Sequence, residues 1–243
     1  MRKKVLVTND DSVHSKGIKA LVECLTDYEV DLLVVAPSSE KSAVSHSITI
    51  RHGLKLQQLE DIVPGVKTYS LDGTPADCVK VAKVALKYDF DLVFSGANDG
   101  LNMADDVMYS GTVAGAAEGV MLGAVGVALS VAKGNIEALK QNFTTIMDYM
   151  QKNHMLHSNQ FYNINIPSNP TGIKITHQTK NATQTIFKLV DGLHYMVGEP
   201  DRKTKLDDLE GDVMSYLNGY ISITPLTNDR TDYKKIKELS TRK

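Results

Sequence analysis

Apolar positions along this chain come in short runs separated by polar turns, and the spacing within the runs changes regularly between that of a strand and that of a helix. Val5-Leu6-Val7 lies in a strand predicted at about 3 to 8, closed by the polar turn Asn9-Asp10-Asp11-Ser12. After Gly17, Ile18, Leu21, Val22 and Leu25 recur at helical spacing. A second strand at about 29 to 36 is nearly continuous in apolar character, as in a parallel sheet covered on both faces, and Pro37 stops it. The stretch 48 to 71 alternates weakly and predicts a strand, a turn around Pro64-Gly65 and another strand. Thr74 and Pro75 read as N-cap and first residue of a helix whose apolar face is Ala76, Val79, Val81, Ala82, Val84 and Ala85. A third parallel strand, 91 to 95, runs into the polar loop Gly96 to Asn102, and Ser110-Gly111-Thr112 precedes a small-residue helix, Val113 to Met121. A fourth strand at about 125 to 131 and a longer helix at about 135 to 151 follow.

Past Asn153 the pattern changes to short β-like pieces, Phe161 to Ile166, Ile173 to Thr176, Phe187 to Val190 and Tyr195 to Val197. An acidic segment from Lys205 to Asp212, a strand Tyr220 to Thr224 and a terminal helix from Asp229 to Leu239 complete the chain. The prediction is an α/β fold: a mostly parallel sheet with helices on both faces over 1–153, and a β-rich extension over 154–243 suited to oligomer contacts or to covering a site. No repeat of 20 to 50 residues interrupts this reading.

Composition narrows the function. With 243 residues and 42% hydrophobic content the chain builds a sizeable core without staples. A net charge of −2 and a pI near 6.4 give no basic surface, so polymeric nucleic acid is not an expected partner. Cys24 and Cys78 each fall inside an apolar helical pattern and read as small buried thiols. A strand within the first few residues leaves no signal-peptide core, and no apolar run approaches the ~20 residues that span a bilayer. The expectation is a cytoplasmic protein with no membrane partner.

Candidate chemistry gathers at the strand ends. On a continuing strand Asp10 and Asp11 would point to opposite faces, so they reach one ion only if the chain turns there, which Asn9 and Ser12 favour. The loop 38 to 47, with Ser42 and His46, and the loop carrying Asn98 and Asn102 lie at the same carboxyl edge, where open α/β folds hold ligands. The helix start at Ser110, Gly111 and Thr112 offers free N–H groups and a positive dipole end to a phosphate, an ordinary Ser/Thr cap being the alternative. Asp105-Asp106, in what reads as an extended segment, is taken as solvated or capping the next helix. His46 is a candidate for protonating a leaving oxygen, against surface or structural duty.

Six blocks now stand in order: Thr8-Asn9-Asp10-Asp11; Val35-Ala36-Pro37 with Ser42 and Ser45 to Thr49; Gly73 to Val79; Ser95-Gly96-Ala97-Asn98 with Gly100 and Asn102; Ser110-Gly111-Thr112-Val113 with Glu118-Gly119; and Gly219 to Pro225. Together they resemble the SurE family, the stationary-phase survival nucleotidases, nearly end to end. The resemblance implies a Rossmann-like domain and a divalent-metal-dependent phosphomonoesterase, a nucleotidase or acid-type phosphatase acting on nucleoside monophosphates. It also implies a homodimer that exchanges C-terminal segments and often pairs into a tetramer. By the family pattern Asp10, Asp11, Ser42 and Asn98 hold one cation, and two carboxylates, a hydroxyl and an amide carbonyl are hard donors that suit Mg²⁺ or Mn²⁺. Asp10 and Asp11 are the catalytic candidates; Asn9, Ser42, His46, Asn98, Asn102, Ser110, Gly111 and Thr112 are the substrate-binding ones. In-line attack by water is the preferred route, with an aspartyl-phosphate competing.

Four positions depart from the pattern: Ser12, Ala43 and Ala104 stand where the family commonly has Gly, and Ser38 where it has Asp. If position 12 needs a positive φ, Ser12 carries strain. Two other classes are weighed. A nucleotide-sugar transferase usually carries its metal on an Asp-x-Asp later in the domain, whereas the acidic motif here is the adjacent pair Asp10-Asp11; a non-catalytic nucleotide-binding protein would need a Gly-x-Gly-x-x-Gly turn after the first strand, which Asn9 to Gly17 lacks.

Overall fold

The computed structural model describes residues 2–180, 183–200 and 207–241. The first strand, β1 (Lys3–Thr8), leads through the acidic turn to helix α1 (Lys16–Thr26) and then β2 (Val30–Pro37). An edge strand β3 (Leu56–Leu59) and β4 (Lys67–Leu71) precede α2 (Pro75–Val84) and β5 (Leu92–Asp99). A 3₁₀ turn at Ala104–Met108 is followed by α3 (Gly111–Met121), β6 (Val125–Val131), α4 (Glu137–Lys152) and β7 (Phe161–Ile166). The remainder is β8 (Gly172–Ile175), the pair β9 (Thr183–Val190) and β10 (Leu193–Pro200), α5 (Asp212–Leu217), β11 (Tyr220–Leu226) and α6 (Tyr233–Ser240).

Nine of the strands form one sheet in the order β3-β4-β2-β1-β5-β6-β7-β11-β8, and β9 and β10 make a separate antiparallel hairpin. Pairing is parallel from β4 through β7, with antiparallel contacts at β3–β4 and β7–β11. Successive side chains of β1 serve opposite layers, as the strand period demands. Val5 and Val7 join Ile18, Leu21 and Phe143 on the α1 and α4 side, whereas Leu6 packs with Val79, Ala82 and Val93 on the other side, against α2. Chain order reverses direction between β1 and β5, which places a topological switch point between the carboxyl ends of those two strands.

Several expectations are corrected. The segment 48 to 55 is not a strand; pairing begins only at Leu56, because Thr49 donates from its backbone and hydroxyl to Asp77, and Thr74 binds the Ser47 carbonyl. Those contacts spend the segment on α2's cap. Asp105 and Asp106 lie in the 3₁₀ turn rather than an extended segment. The β-like pieces at 187–190 and 195–197 are the turn-proximal parts of a longer hairpin. The terminal helix starts at Tyr233, since the Asp232 side chain accepts from the Lys235 N–H and caps it there.

The end of the acidic segment, of which 205 and 206 lie outside the described residues, opens helix α5, for which the sequence pattern gives no signal. Its first residue, Asp212, is fully buried; the carboxylate accepts from the N–H and hydroxyl of Thr179 and from the Ala104 N–H at 2.8 Å. A tertiary carboxylate of this kind selects a helix that local propensity does not announce.

A candidate cation and phosphate site at the switch point

The two strands that flank the switch point each deliver part of the site. Asp10 and Asp11 follow β1, and Asn98 is the next-to-last residue of β5. The turn forms because the fully buried Asn9 donates its amide to the Ser12 carbonyl at 2.8 Å and to the Ser15 hydroxyl at 2.9 Å. Asn9 therefore shapes the turn and does not line the cavity beyond it. Ser12 sits at φ 90°, Ala43 at 53° and Ala104 at 52°. The three departures from family glycine all occupy left-handed backbone, at a cost on the order of 1 kcal/mol each.

Asp10 is buried against the start of α3, where the Thr112 hydroxyl donates to it, and its own carbonyl accepts from the Lys41 N–H at 2.7 Å. Gly111 permits that approach: a Cβ there would lie 2.9 Å from the Asp10 Cβ and 3.0 Å from its Oδ2. Burial pushes the Asp10 carboxyl up to about 6, opposed by the Thr112 hydroxyl and reinforced by the Asp11 charge. Burial likewise raises Asp11, opposed by the hydrogen bond its Oδ2 accepts from the Asp99 N–H at 3.1 Å, while the Glu40 and Asp99 charges add to the rise. The result is an acidic concentration with no Lys or Arg ion-paired to either carboxylate among the described residues.

A cavity of about 540 Å³ lies at this edge, lined by Asp10, Ser42, Asn98, Asn102 and Ser110 among others. The Asn98 amide nitrogen donates to the Gly100 carbonyl at 2.8 Å, which leaves its oxygen as the donor for a cation. The Ser42 hydroxyl donates to Glu40 at 2.7 Å, which keeps its lone pairs available. Ser110 caps α3 by accepting from the Val113 N–H at 3.1 Å, so the cap and the phosphate seat share one residue. Asn102 is held more firmly than the sequence implies. Its carbonyl accepts from the Asn163 and Asn165 amides, its N–H binds Asn165 and its amide nitrogen donates to Ser130. The signal for Asn163 and Asn165 is their polar alternation inside the otherwise apolar β7.

His46 is placed differently. Its Nε2 sits 2.9 Å from the Glu118 carboxylate, whose other oxygen accepts from Lys80 at 2.6 Å. Burial pushes the Glu118 carboxyl up, but the hydrogen bonds from His46 and Lys80 outweigh it and hold the group below its ordinary range. His46 lines a neighbouring cavity of about 270 Å³ with Ser110 and Arg230, not the one that holds Asp10. The loop 38 to 47 is thus anchored by His46 to α3, and by the Ser45 N–H to the Tyr109 carbonyl at 2.9 Å. Losing a general acid costs 10²–10⁴-fold in rate. His46→Ala is instead expected to cost less than about tenfold in kcat and about 1 kcal/mol in stability, since the buried Glu118 carboxylate keeps its bond from Lys80. Steady-state kinetics and thermal melting check this; a 10³-fold fall in kcat makes His46 the acid.

No cluster of three or more His, Cys, Asp or Glu side chains converges as a metal cage among the described residues. The present set uses two carboxylates with neutral oxygens, a different donor composition. Comparison with known proteins agrees with the architecture. The family model described as "Survival protein SurE" matches residues 5–185. A protein of Caldanaerobacter subterraneus subsp. tengcongensis named 5'-nucleotidase SurE is 37% identical over 248 residues, covering 97% of this chain and 96% of its own. One of the same name from Vibrio cholerae is 34% identical over 250 residues, covering 98% and 92%. The crystal structure of the SurE protein from Aquifex aeolicus superposes with a TM-score of 0.81 at 34% identity, covering 98% of each chain.

Proposed function

This chain belongs to the SurE family, and from that premise we propose that it hydrolyses nucleoside monophosphates to nucleoside and phosphate with one Mg²⁺ or Mn²⁺ per subunit held by Asp10, Asp11, Ser42 and Asn98. It is a 5'-nucleotidase, a hydrolase of phosphoric monoesters, of a family whose nucleotidases are metal-dependent. The observation that carries the residue assignment is the convergence of Asp10, Ser42, Asn98 and the Ser110 helix cap on one cavity at the switch point. The donor set fits a hard cation: its oxygens come from two loops and the end of β5, and the acidic surplus from Asp11, Glu40 and Asp99 has no cationic side chain ion-paired to Asp11 among the described residues.

When bound, the cation supplies Lewis acidity toward the phosphoryl oxygens and acidifies water. Ser110, Gly111 and Thr112 present the positive end of α3 to the phosphate's equatorial oxygens, and Asn98 and Asn102 edge the same space. Each carboxylate spends one oxygen on the fold, Asp10 on Thr112 and Asp11 on Asp99. The other oxygen of each would be the one left to hold the cation, a role that favours water over either Asp as nucleophile. The core over 1–153 carries these residues. The part over 154–243 adds β7, β11 and β8 to the sheet and projects the hairpin and α6, whose exposed Val190, Tyr195, Tyr233 and Ile236 support pairing of copies into a dimer and then a tetramer.

No helix among the described residues is long and apolar enough to cross a membrane. A cytoplasmic place, close to the mononucleotide pool, suits the proposed substrate. The test is phosphate release from AMP by chelator-stripped protein. Turnover is expected to be lost and then restored by adding Mg²⁺ or Mn²⁺; full turnover in excess chelator overturns the cation's role.

A further inference from the structure

The cavity beside Asp10 is far larger than a phosphate requires. About 540 Å³ falls in the ~300–1,000 Å³ range of sites that enclose a whole small ligand. Besides the oxygen donors, its wall carries Leu101, Tyr109 and, from the separate hairpin, Met196. We propose that Tyr109 is the platform on which the base of the substrate nucleotide stacks, with Met196 as the apolar contact that completes the clamp. The proposal rests on the nucleotidase reading and adds to it the place and the mode of nucleoside recognition.

Three observations carry it. Tyr109 immediately precedes Ser110, the cap of α3, so a phosphate on that helix start has its ester oxygen and sugar within one residue's reach of the ring. The ring is 60% exposed and makes no ring–ring contact among the described residues, although its mount is fixed. The Tyr109 N–H donates to the Asp106 carbonyl at 3.0 Å, and its carbonyl accepts from the Ser45 N–H. A rigidly mounted, solvent-facing aromatic at a cavity mouth gives contact area at little entropic cost. The hairpin register then supplies the second surface. Met196 pairs with Phe187 and Gly198 with Thr185, which puts Met196 and Thr185 on one face, and both line the cavity. Met196 is 72% exposed, and a thioether adapts to whichever flat ring it meets. Every base has a π-face, so this mode recognises the nucleoside class rather than one base edge.

The experiment compares KM and kcat for AMP and for β-glycerol phosphate, which lacks a ring, in the metal-loaded full chain and in Tyr109→Ala, Tyr109→Phe, Met196→Ala and Arg230→Ala. Calorimetric AMP binding is measured alongside. Tyr109→Ala is expected to raise KM for AMP about tenfold more than KM for β-glycerol phosphate, the scale of a lost base–aromatic stack. Tyr109→Phe should restore it, since stacking uses the ring and not the hydroxyl, and Met196→Ala should give a smaller rise of the same selectivity. Equal losses on both substrates, or failure of Phe to rescue, overturn the proposal by making Tyr109 a structural or hydroxyl-dependent residue. An AMP-selective rise in Arg230→Ala with none in Tyr109→Ala overturns it by moving the base to the neighbouring cavity. Wild-type protein that binds AMP in a Tyr109-dependent way but releases no phosphate supports this proposal while sinking the nucleotidase reading. Phosphate release from AMP with an unchanged KM in Tyr109→Ala does the reverse.

Discussion

Asp10→Asn is expected to lower kcat/KM for AMP by 10³-fold or more and, at the same time, to raise the melting temperature of the cation-free protein at pH 7. The first effect follows from deleting one of only two formal charges proposed to hold the cation. The second follows from burial. The Asp10 carboxyl is only 6% exposed, and its pKa stands at about 6 against an ordinary 3.8, so the folded state holds this proton more tightly than the unfolded chain does. Stability contributed by the protonated group is therefore complete below about pH 4, falls as pH rises toward 6 and is absent above it. That range corresponds to a penalty of up to about 3 kcal/mol at pH 7 in the absence of metal. Asparagine keeps the shape and still accepts from the Thr112 hydroxyl, but it is never charged. Melting curves of chelator-stripped protein from pH 4.5 to 8 should thus diverge, with the variant several degrees higher at neutral pH and the two converging in acid. Adding Mn²⁺ should raise the wild type through preferential binding to the folded state and leave the variant nearly unmoved. A variant that melts lower than wild type at pH 7.5, or that retains phosphate release, contradicts the assignment.

Fold and site are unequally legible in the sequence. Strand periodicity and turn chemistry located β1, β2, β5 and β6 within a residue or two at their starts, because a buried parallel strand imposes an apolar run and its end imposes polar residues. The Thr74 capping box and Pro75 placed α2 for the same local reason. What was not legible depends on partners distant in sequence. Nothing near Glu118 announces that His46, 72 positions earlier, and Lys80, 38 earlier, converge on it. Nothing in Leu209 to Tyr216 announces that Asp212 satisfies Ala104 across 108 positions and so nucleates α5. Asn9 and His46 carry residue types that suit ligand binding; the turn-building of Asn9 is local and legible beside Ser12, whereas only the contact with Glu118 reveals that His46 anchors a loop. Tyr109 is not legible because an isolated tyrosine before a helix cap carries no pattern; its meaning comes from the cavity it edges.

Gly17→Ala tests whether the acidic turn and the β5 loop are held as one mechanical unit, and it is expected to be the most damaging single-methyl change in the core. Gly17 is the second residue of α1, and a Cβ at that position would lie 1.9 Å from the Ala97 carbonyl oxygen and 3.0 Å from its carbon. No rotamer relieves a clash between Cβ and backbone, so either α1 lifts from the sheet or the end of β5 moves. Lifting α1 strips cover from Ile18, Leu21, Val22 and Leu25, all buried, while moving β5 displaces the peptide that carries Asn98. The expected cost is about 3 kcal/mol or more, which for a chain of this length lowers the melting temperature by roughly 6 °C or more. Helix α1 is fixed along its whole apolar face, whereas the β5 end opens into a cavity, so the softer response is movement at Asn98. A displacement of about 1 Å at a positioning group costs on the order of 100-fold in rate. Leu21→Ala provides the comparison, since emptying that buried site costs a similar ~3 kcal/mol without touching Ala97. At a temperature where both variants stay folded, Gly17→Ala should lose about 100-fold in kcat/KM and bind Mn²⁺ more weakly, while Leu21→Ala should keep both within a few fold. Equal activity in the two variants shows instead that α1 yields first and that the cation site is decoupled from the helix behind it.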